Sequence, residues 1–181
     1  MPNAQSCMIA PVFVDTNILL YARDAGEPIK QPLAEQWLRR LWQERSGRIS
    51  AQVLSEYYVN VTRKLVPGLS SERAWEDVEA LYSWVPQATD CALLTRGREL
   101  ERRYQLSWWD SLIVAAAQLQ QCALLLTEDL QDGAQYGELK VRSPFTLAVS
   151  DAGAPYRVER EQAAPRHRQR GRPIGSRPKR A

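Results

Sequence analysis

The sequence predicts an α/β domain with a parallel sheet, and three observations carry that prediction. Short apolar runs, Val12-Phe13-Val14 and Ala123-Leu124-Leu125-Leu126, stop abruptly at polar residues, as buried strands do. The segments between them place apolar residues at helical spacing, so strands and helices alternate along the chain. With 181 residues, 44% of them hydrophobic, and no internal repeat, the chain is long enough for one domain with a substantial core.

The first run reads as the first, central strand, and Asp15-Thr16-Asn17 stand where it hands over to a helix beginning near Ile18. A helix follows from Leu33 to Gln43, entered at Pro32, with Trp37 and Trp42 expected in the core. Arg48-Ile49-Ser50 is short enough for a strand. Val53, Leu54, Tyr57, Tyr58 and Val61 then make one apolar helix face, with Glu56 on its flank. Pro67-Gly68 ends that helix and Ser70-Ser71-Glu72-Arg73 opens another, through Trp75, Val78, Leu81 and Tyr82.

Val85 and its neighbours are expected as a short strand, and Thr89 or Asp90 as the cap of a helix from Cys91 to Tyr104. Arg96, Arg98, Arg102 and Arg103 cluster in that helix, as a solvated face or as contacts for a phosphate backbone. Ser107 and Asp110 fit a capping box before Ser111 to Leu119, a helix so rich in alanine and aliphatics that most of its sides must be buried. Thr127-Glu128-Asp129 follow the strand at Leu124 to Leu126, so Asp129 is expected to repeat the placement of Asp15. Val141-Arg142 are expected as a last, edge strand.

Charge divides the chain. Residues 1 to 150 hold 15 Lys and Arg against 18 Asp and Glu, net −3, whereas 151 to 181 hold 9 against 3, net +6. The expected domains are therefore a body over 1–150 and a disordered, Arg- and Pro-rich basic tail over 151–181. Three scattered cysteines, Cys7, Cys91 and Cys122, show no paired spacing, which favours a reducing cytoplasmic setting. The start of the chain lacks a signal-peptide pattern, and no apolar run reaches the roughly 18 residues of a membrane span. The single histidine, His167, lies in the tail, which argues against histidine triads and histidine-ligated zinc.

Chemistry must then rest on carboxylates. Asp15, Glu56, Asp110 and Asp129 each have an innocent reading as a cap or a solvated residue. Together they sit at two strand ends and on two helices of a parallel α/β chain, whose right-handed crossovers bring strand ends to one edge. Carboxylates gathered closely repel unless a divalent cation neutralises them, and an all-oxygen donor set selects Mg²⁺ or Mn²⁺.

Val14-Asp15-Thr16-Asn17, Val53-Leu54-Ser55-Glu56-Tyr57, Trp109-Asp110-Ser111-Leu112-Ile113 and the stretch from Leu126 to Gly133 together resemble PIN-domain ribonucleases, most of all VapC-type toxins of bacterial toxin–antitoxin pairs. The resemblance covers about residues 11 to 147. It implies a three-layer α/β/α sandwich, RNA hydrolysis dependent on Mg²⁺ or Mn²⁺, a homodimer, and a small cognate antitoxin covering the acidic groove. It also implies that Asp15, Glu56, Asp110 and Asp129 are the catalytic, metal-holding quartet, supported by Thr16 and Asn17. The longer basic tail departs from a minimal toxin.

Two rival readings remain. A phosphotransferase using Asp15 as nucleophile would want an Asp where Asn17 stands and a lysine beside a strand-end carboxylate, and Lys30, Lys64 and Lys140 are not expected there. A PIN-like module that binds RNA or a partner without cutting would be expected to lack acidic ligands, and all four are present. Trp108 and Trp109 are read either as core or as a platform for bases.

Overall fold

A computed structural model of the chain describes residues 10–146. Cys7 and the basic tail over 151–181 lie outside the described residues.

Strand β1 (Val12–Val14) is buried throughout and passes directly into helix α1 (Thr16–Tyr21). Asp15 makes that junction in an extended conformation, its side chain accepting the Thr16 N–H at 2.8 Å. Helix α2 (Lys30–Glu44) starts three residues earlier than the apolar spacing suggested, and it ends at Arg45, whose left-handed conformation turns the chain into β2 (Gly47–Arg48). Helix α3 (Ala51–Arg63) is capped by Ser50 and buries Val53, Leu54, Tyr57 and Val61 of the expected face, with Tyr58 half-buried. Helix α4 (Ser71–Leu81) is capped by Ser70.

Helix α5 (Cys91–Tyr104) starts at Asp90, whose carboxylate accepts the Leu93 N–H at 2.8 Å. Helix α6 (Trp108–Leu119) starts at Ser107, and every residue from Asp110 to Ala117 is buried. Strands β3 (Leu124–Leu126), β4 (Gln135–Tyr136) and β5 (Leu139–Arg142) complete the fold.

The five strands lie in the order β2-β1-β3-β5-β4. All neighbours are parallel except β4 and β5. Helices flank this mostly parallel sheet in an α/β/α arrangement. Helix α6 lies on β3 and β5 and is backed by α5, while α1 packs against both α2 and α3, α4 packs on α3, and α2 lies on β2. Gly97 lets α5 and α6 approach closely, since a Cβ there would stand 2.7 Å from Leu112 Cδ2. Among the described residues no helix is long and apolar enough to cross a membrane.

Three expectations are corrected. Val85 is not in a strand: a 3₁₀ turn over Tyr82–Trp84 precedes it, its φ is 52°, and its side chain is exposed. The sheet-like contact in this region falls instead at Gln87, which bridges Ser50. Strand β5 is not the edge, because Gly137, with φ 65°, opens a tight turn that folds β4 back beside it. Trp37 is fully buried, but Trp42 is 40% exposed and packs its ring against Trp84, 5.1 Å between centroids.

Candidate functional site

The parallel register fixes where the polar residues meet. Val14 pairs with Leu126, so the next residues, Asp15 and Thr127, emerge side by side at the C-terminal edge of the sheet, where the Asp15 N–H donates to the Leu126 carbonyl at 3.0 Å. Both side chains are buried. The Thr127 hydroxyl donates to Asp15 Oδ2 at 2.7 Å and accepts from Asn17 Nδ2 and from the Asp129 N–H, each at 3.1 Å. One donor and two acceptor sites are all that a hydroxyl offers, so Thr127 is fully engaged.

Asp15 thus finds a threonine, not Asp129, at the matching position of β3. Asp129 lies two residues further on, half-buried, with its backbone tied to Thr127. The sequence pattern assigns Thr127 no role; its signal is its place directly after an apolar strand, the place Asp15 occupies after β1.

A second chain of bonds brings in α3. Thr16 Oγ1 donates to Glu56 Oε2 at 2.9 Å, and Gln52 Nε2 donates to Glu56 Oε1 at 2.9 Å. Asp15, Thr16, Asn17, Glu56 and Asp129 are therefore joined through neighbours in sequence and through Thr127. Gln52, four residues before Glu56 on the same helix, was not singled out by sequence.

Asp110 is buried in the first turn of α6. The Ser107 hydroxyl donates to Asp110 Oδ2 at 2.6 Å and accepts the Asp110 N–H at 3.1 Å, so capping and burial of a carboxylate coexist at this residue. Nearby, burial first and then the charges of Asp110 and Tyr104 push the Tyr136 hydroxyl up to about 12.

The donor chemistry fits a hard divalent cation. Asp15, Glu56, Asp110 and Asp129 offer carboxylate oxygens, and Asn17 Oδ1 is buried with no hydrogen-bond partner among the described residues. Among the described residues, however, no group of three or more His, Cys, Asp or Glu is drawn together around a point that could hold a metal ion. The fit is one of donor type: hydrogen bonds link Asp15, Glu56 and the Asp129 backbone at the sheet edge, while Asp110 is held separately by Ser107 at the start of α6.

Lys30 corrects another expectation, because it does stand beside a strand-end acid. Its ammonium is 2.8 Å from Glu128 Oε2 and 3.1 Å from the Tyr21 hydroxyl. The arginines of α5 do not share one face. Arg96 is bound to Gln118 and Glu99, Arg98 pairs with Glu101, Arg103 lies over the Tyr104 ring, and Arg102 and Arg103 are exposed. Trp108 packs against the core, whereas Trp109 is 55% exposed.

With this geometry in view, the comparisons with known proteins agree on the architecture. A family model described as PIN domain matches residues 12–131. A solved structure titled a toxin-antitoxin complex from Klebsiella pneumoniae superposes with a TM-score of 0.55 at 22% sequence identity, covering 74% of this chain and 97% of that one. At that identity the likeness is one of fold. No curated protein matches the chain.

Proposed function

The chain belongs to the PIN domain family, and from that premise we propose that it is a Mg²⁺- or Mn²⁺-dependent ribonuclease, the toxin of a toxin–antitoxin pair. The observation that supports this best is the buried polar lattice at the sheet edge. Thr127 ties Asp15 to the Asp129 backbone, and Thr16 ties the same edge to Glu56. Buried acids held in fixed positions cost stability, and a fold retains them where they act.

In this reading Asp15, Asp110 and Asp129 would hold the cation, with Glu56 and Asn17 Oδ1 completing its surroundings. A divalent cation bound there supplies Lewis acidity toward the scissile phosphate and makes water a better nucleophile near neutral pH. The protein's own part is orientation. Thr127 fixes Asp15, Ser107 fixes Asp110, and Thr16 with Gln52 fixes both oxygens of Glu56. Among the described residues there is no histidine, so the groups of this edge that can move a proton are its carboxylates and the water they hold. RNA strands would reach the edge with help from Arg102 and Arg103, exposed and outside the α5 ion pairs, and to a lesser degree from Arg96 and Arg98, which pair with Glu99 and Glu101.

The toxin assignment is supported by the fold shared with a chain from a toxin-antitoxin complex. It carries two corollaries: a small antitoxin that covers the acidic edge, and a homodimer acting in the cytoplasm.

The test is cleavage of a structured RNA pool by the full chain with Mg²⁺, with Mn²⁺ and with EDTA, beside Asp15→Asn and Asp110→Asn. Cutting that requires the cation and disappears in both folded variants is the expected result. A folded protein that binds RNA but cuts nothing under any of these conditions would instead be a binding module on a PIN fold.

A further inference from the structure

We propose that Lys30 is a contact for an RNA phosphate flanking the carboxylate edge, and that Glu128 holds its ammonium in place until RNA displaces it. The inference rests on the nuclease reading and adds to it a substrate-binding residue outside the acidic set.

Position is the first argument. Glu128 lies between Thr127, which bonds Asp15, and Asp129. Lys30 reaches it from the start of α2, 98 residues away in sequence. The described residues contain two other lysines, and neither is so placed. Lys64 ends α3, and Lys140 pairs with Leu124 at the N-terminal end of β3, on the far edge of the sheet. Tyr21, which also bonds Lys30, ends the helix that begins at Thr16, so at a rise of about 1.5 Å per residue it lies about 7.5 Å along the axis from that edge. One RNA strand can touch both.

Construction is the second argument. The Lys30 ammonium stands 4.3 Å from the centroid of Tyr21 and 5.3 Å from that of Phe145, and the two rings meet edge to face at 5.3 Å. The aromatic faces hold a cation without neutralising it. Burial disfavours the charge, but the hydrogen bonds to Glu128 and Tyr21 outweigh it and raise the pKa, so Lys30 is cationic at neutral pH. Its side chain is still 30% exposed and that of Glu128 26%, so the pair meets water. A partly exposed ion pair contributes little stability, and exchanging a carboxylate for a phosphate oxygen costs correspondingly little.

The two partners therefore have opposite effects. Lys30→Met removes the phosphate contact, and Glu128→Gln removes its competitor while keeping the shape of the side chain. Binding of a short fluorescein-labelled single-stranded RNA to the full chain, measured by anisotropy across a KCl series with EDTA present, reads this directly. Lys30→Met should weaken binding several-fold and flatten the slope of log K against log salt by about 0.7, one phosphate contact to a single strand. Glu128→Gln should tighten binding several-fold, and Lys30→Arg should retain most of it.

With cleavable RNA and Mg²⁺, Lys30→Met should raise KM by a larger factor than it lowers kcat. If both charge-removing variants weaken binding alike, the pair is structural and the proposal is overturned while the nuclease reading stands. Should Lys30→Met fail to fold, the sign of the Glu128→Gln effect decides: tightening supports the contact, and weakening or no change overturns it. A wild-type chain that neither binds nor cuts RNA overturns both readings.

Discussion

The hydroxyl of Thr127 donates to Asp15 Oδ2 across 2.7 Å, and its two lone pairs are taken by Asn17 and the Asp129 backbone. Thr127→Val keeps the shape and deletes all three bonds. Stranding buried polar groups costs about 1–3 kcal/mol, so the urea midpoint should fall. Loss of the group that orients a ligating carboxylate should lower the RNA cleavage rate by about 10- to 100-fold. Thr127→Ser, which restores the hydroxyl, should recover most of both. Cleavage unchanged in a folded Thr127→Val would remove this residue from the working site.

That bond also marks the limit of what the chain discloses before folding. Asp15, Asp110 and Asp129 stand out as candidates because each ends or interrupts an apolar stretch, and Glu56 because it flanks an apolar helix face; such patterns are local. The partner of Asp15 was not legible, since the register Val14 to Leu126 is set by two strands 112 residues apart. The place of Lys30 is hidden for the same reason, its partner Glu128 being distant in sequence. Val85 misled differently. A β-branched residue suggests a strand, but Val85 caps the 3₁₀ turn over Tyr82–Trp84, its N–H bonded to the Tyr82 carbonyl, at φ 52°, a conformation that no propensity favours for valine. Helices fared better because caps at Ser70, Asp90 and Ser107 announce them within three residues; the cap at Ser50 is hidden behind a residue pattern that suggests a strand.

Gly47 is required by a close approach. A Cβ there would stand 2.6 Å from ring carbons of Trp84, itself buried and packed at a tilt against Trp42. A rigid indole cannot yield as the end of a leucine can. Gly47→Ala should therefore destabilise the domain by about 1–3 kcal/mol, read as a lower urea midpoint with an unchanged m-value. An unaltered midpoint would mean that β2 and Trp84 separate at little cost.

Alkaline pH should unfold the protein before ordinary titration would suggest. Burial first, with Asp77 assisting at Tyr57 and Asp110 at Tyr136, pushes both phenols up to about 12 from 10.0, and burial pushes the Cys122 thiol up to about 12 from 9.0. Each group keeps its proton longer when folded, so its contribution is complete below the unfolded pKa and is lost as pH rises through the folded one. Denaturation midpoints should hold steady from neutrality to about pH 9 and then decline toward pH 12. A midpoint that rises across this window would contradict the sign.

The two buried tyrosines should respond oppositely to loss of the hydroxyl. Tyr57 donates to Asp77 Oδ2 at 2.6 Å, while Asp77 Oδ1 accepts from Arg23 at 2.7 Å, a polar knot joining α3 and α4 to the end of α1. Tyr57→Phe deletes a hydrogen bond to a charged acceptor and should cost about 1.5–3 kcal/mol. The Tyr136 hydroxyl, by contrast, is buried with no hydrogen-bond partner among the described residues. Its desolvation is already a loss in the native state, so Tyr136→Phe should be neutral or stabilising and should also flatten the alkaline decline. Paired urea titrations at pH 7 and pH 11 separate the effects. If Tyr136→Phe destabilises as much as Tyr57→Phe, the hydroxyl does find a hydrogen-bond partner in the folded protein, and its reading as an unpaired buried group is overturned.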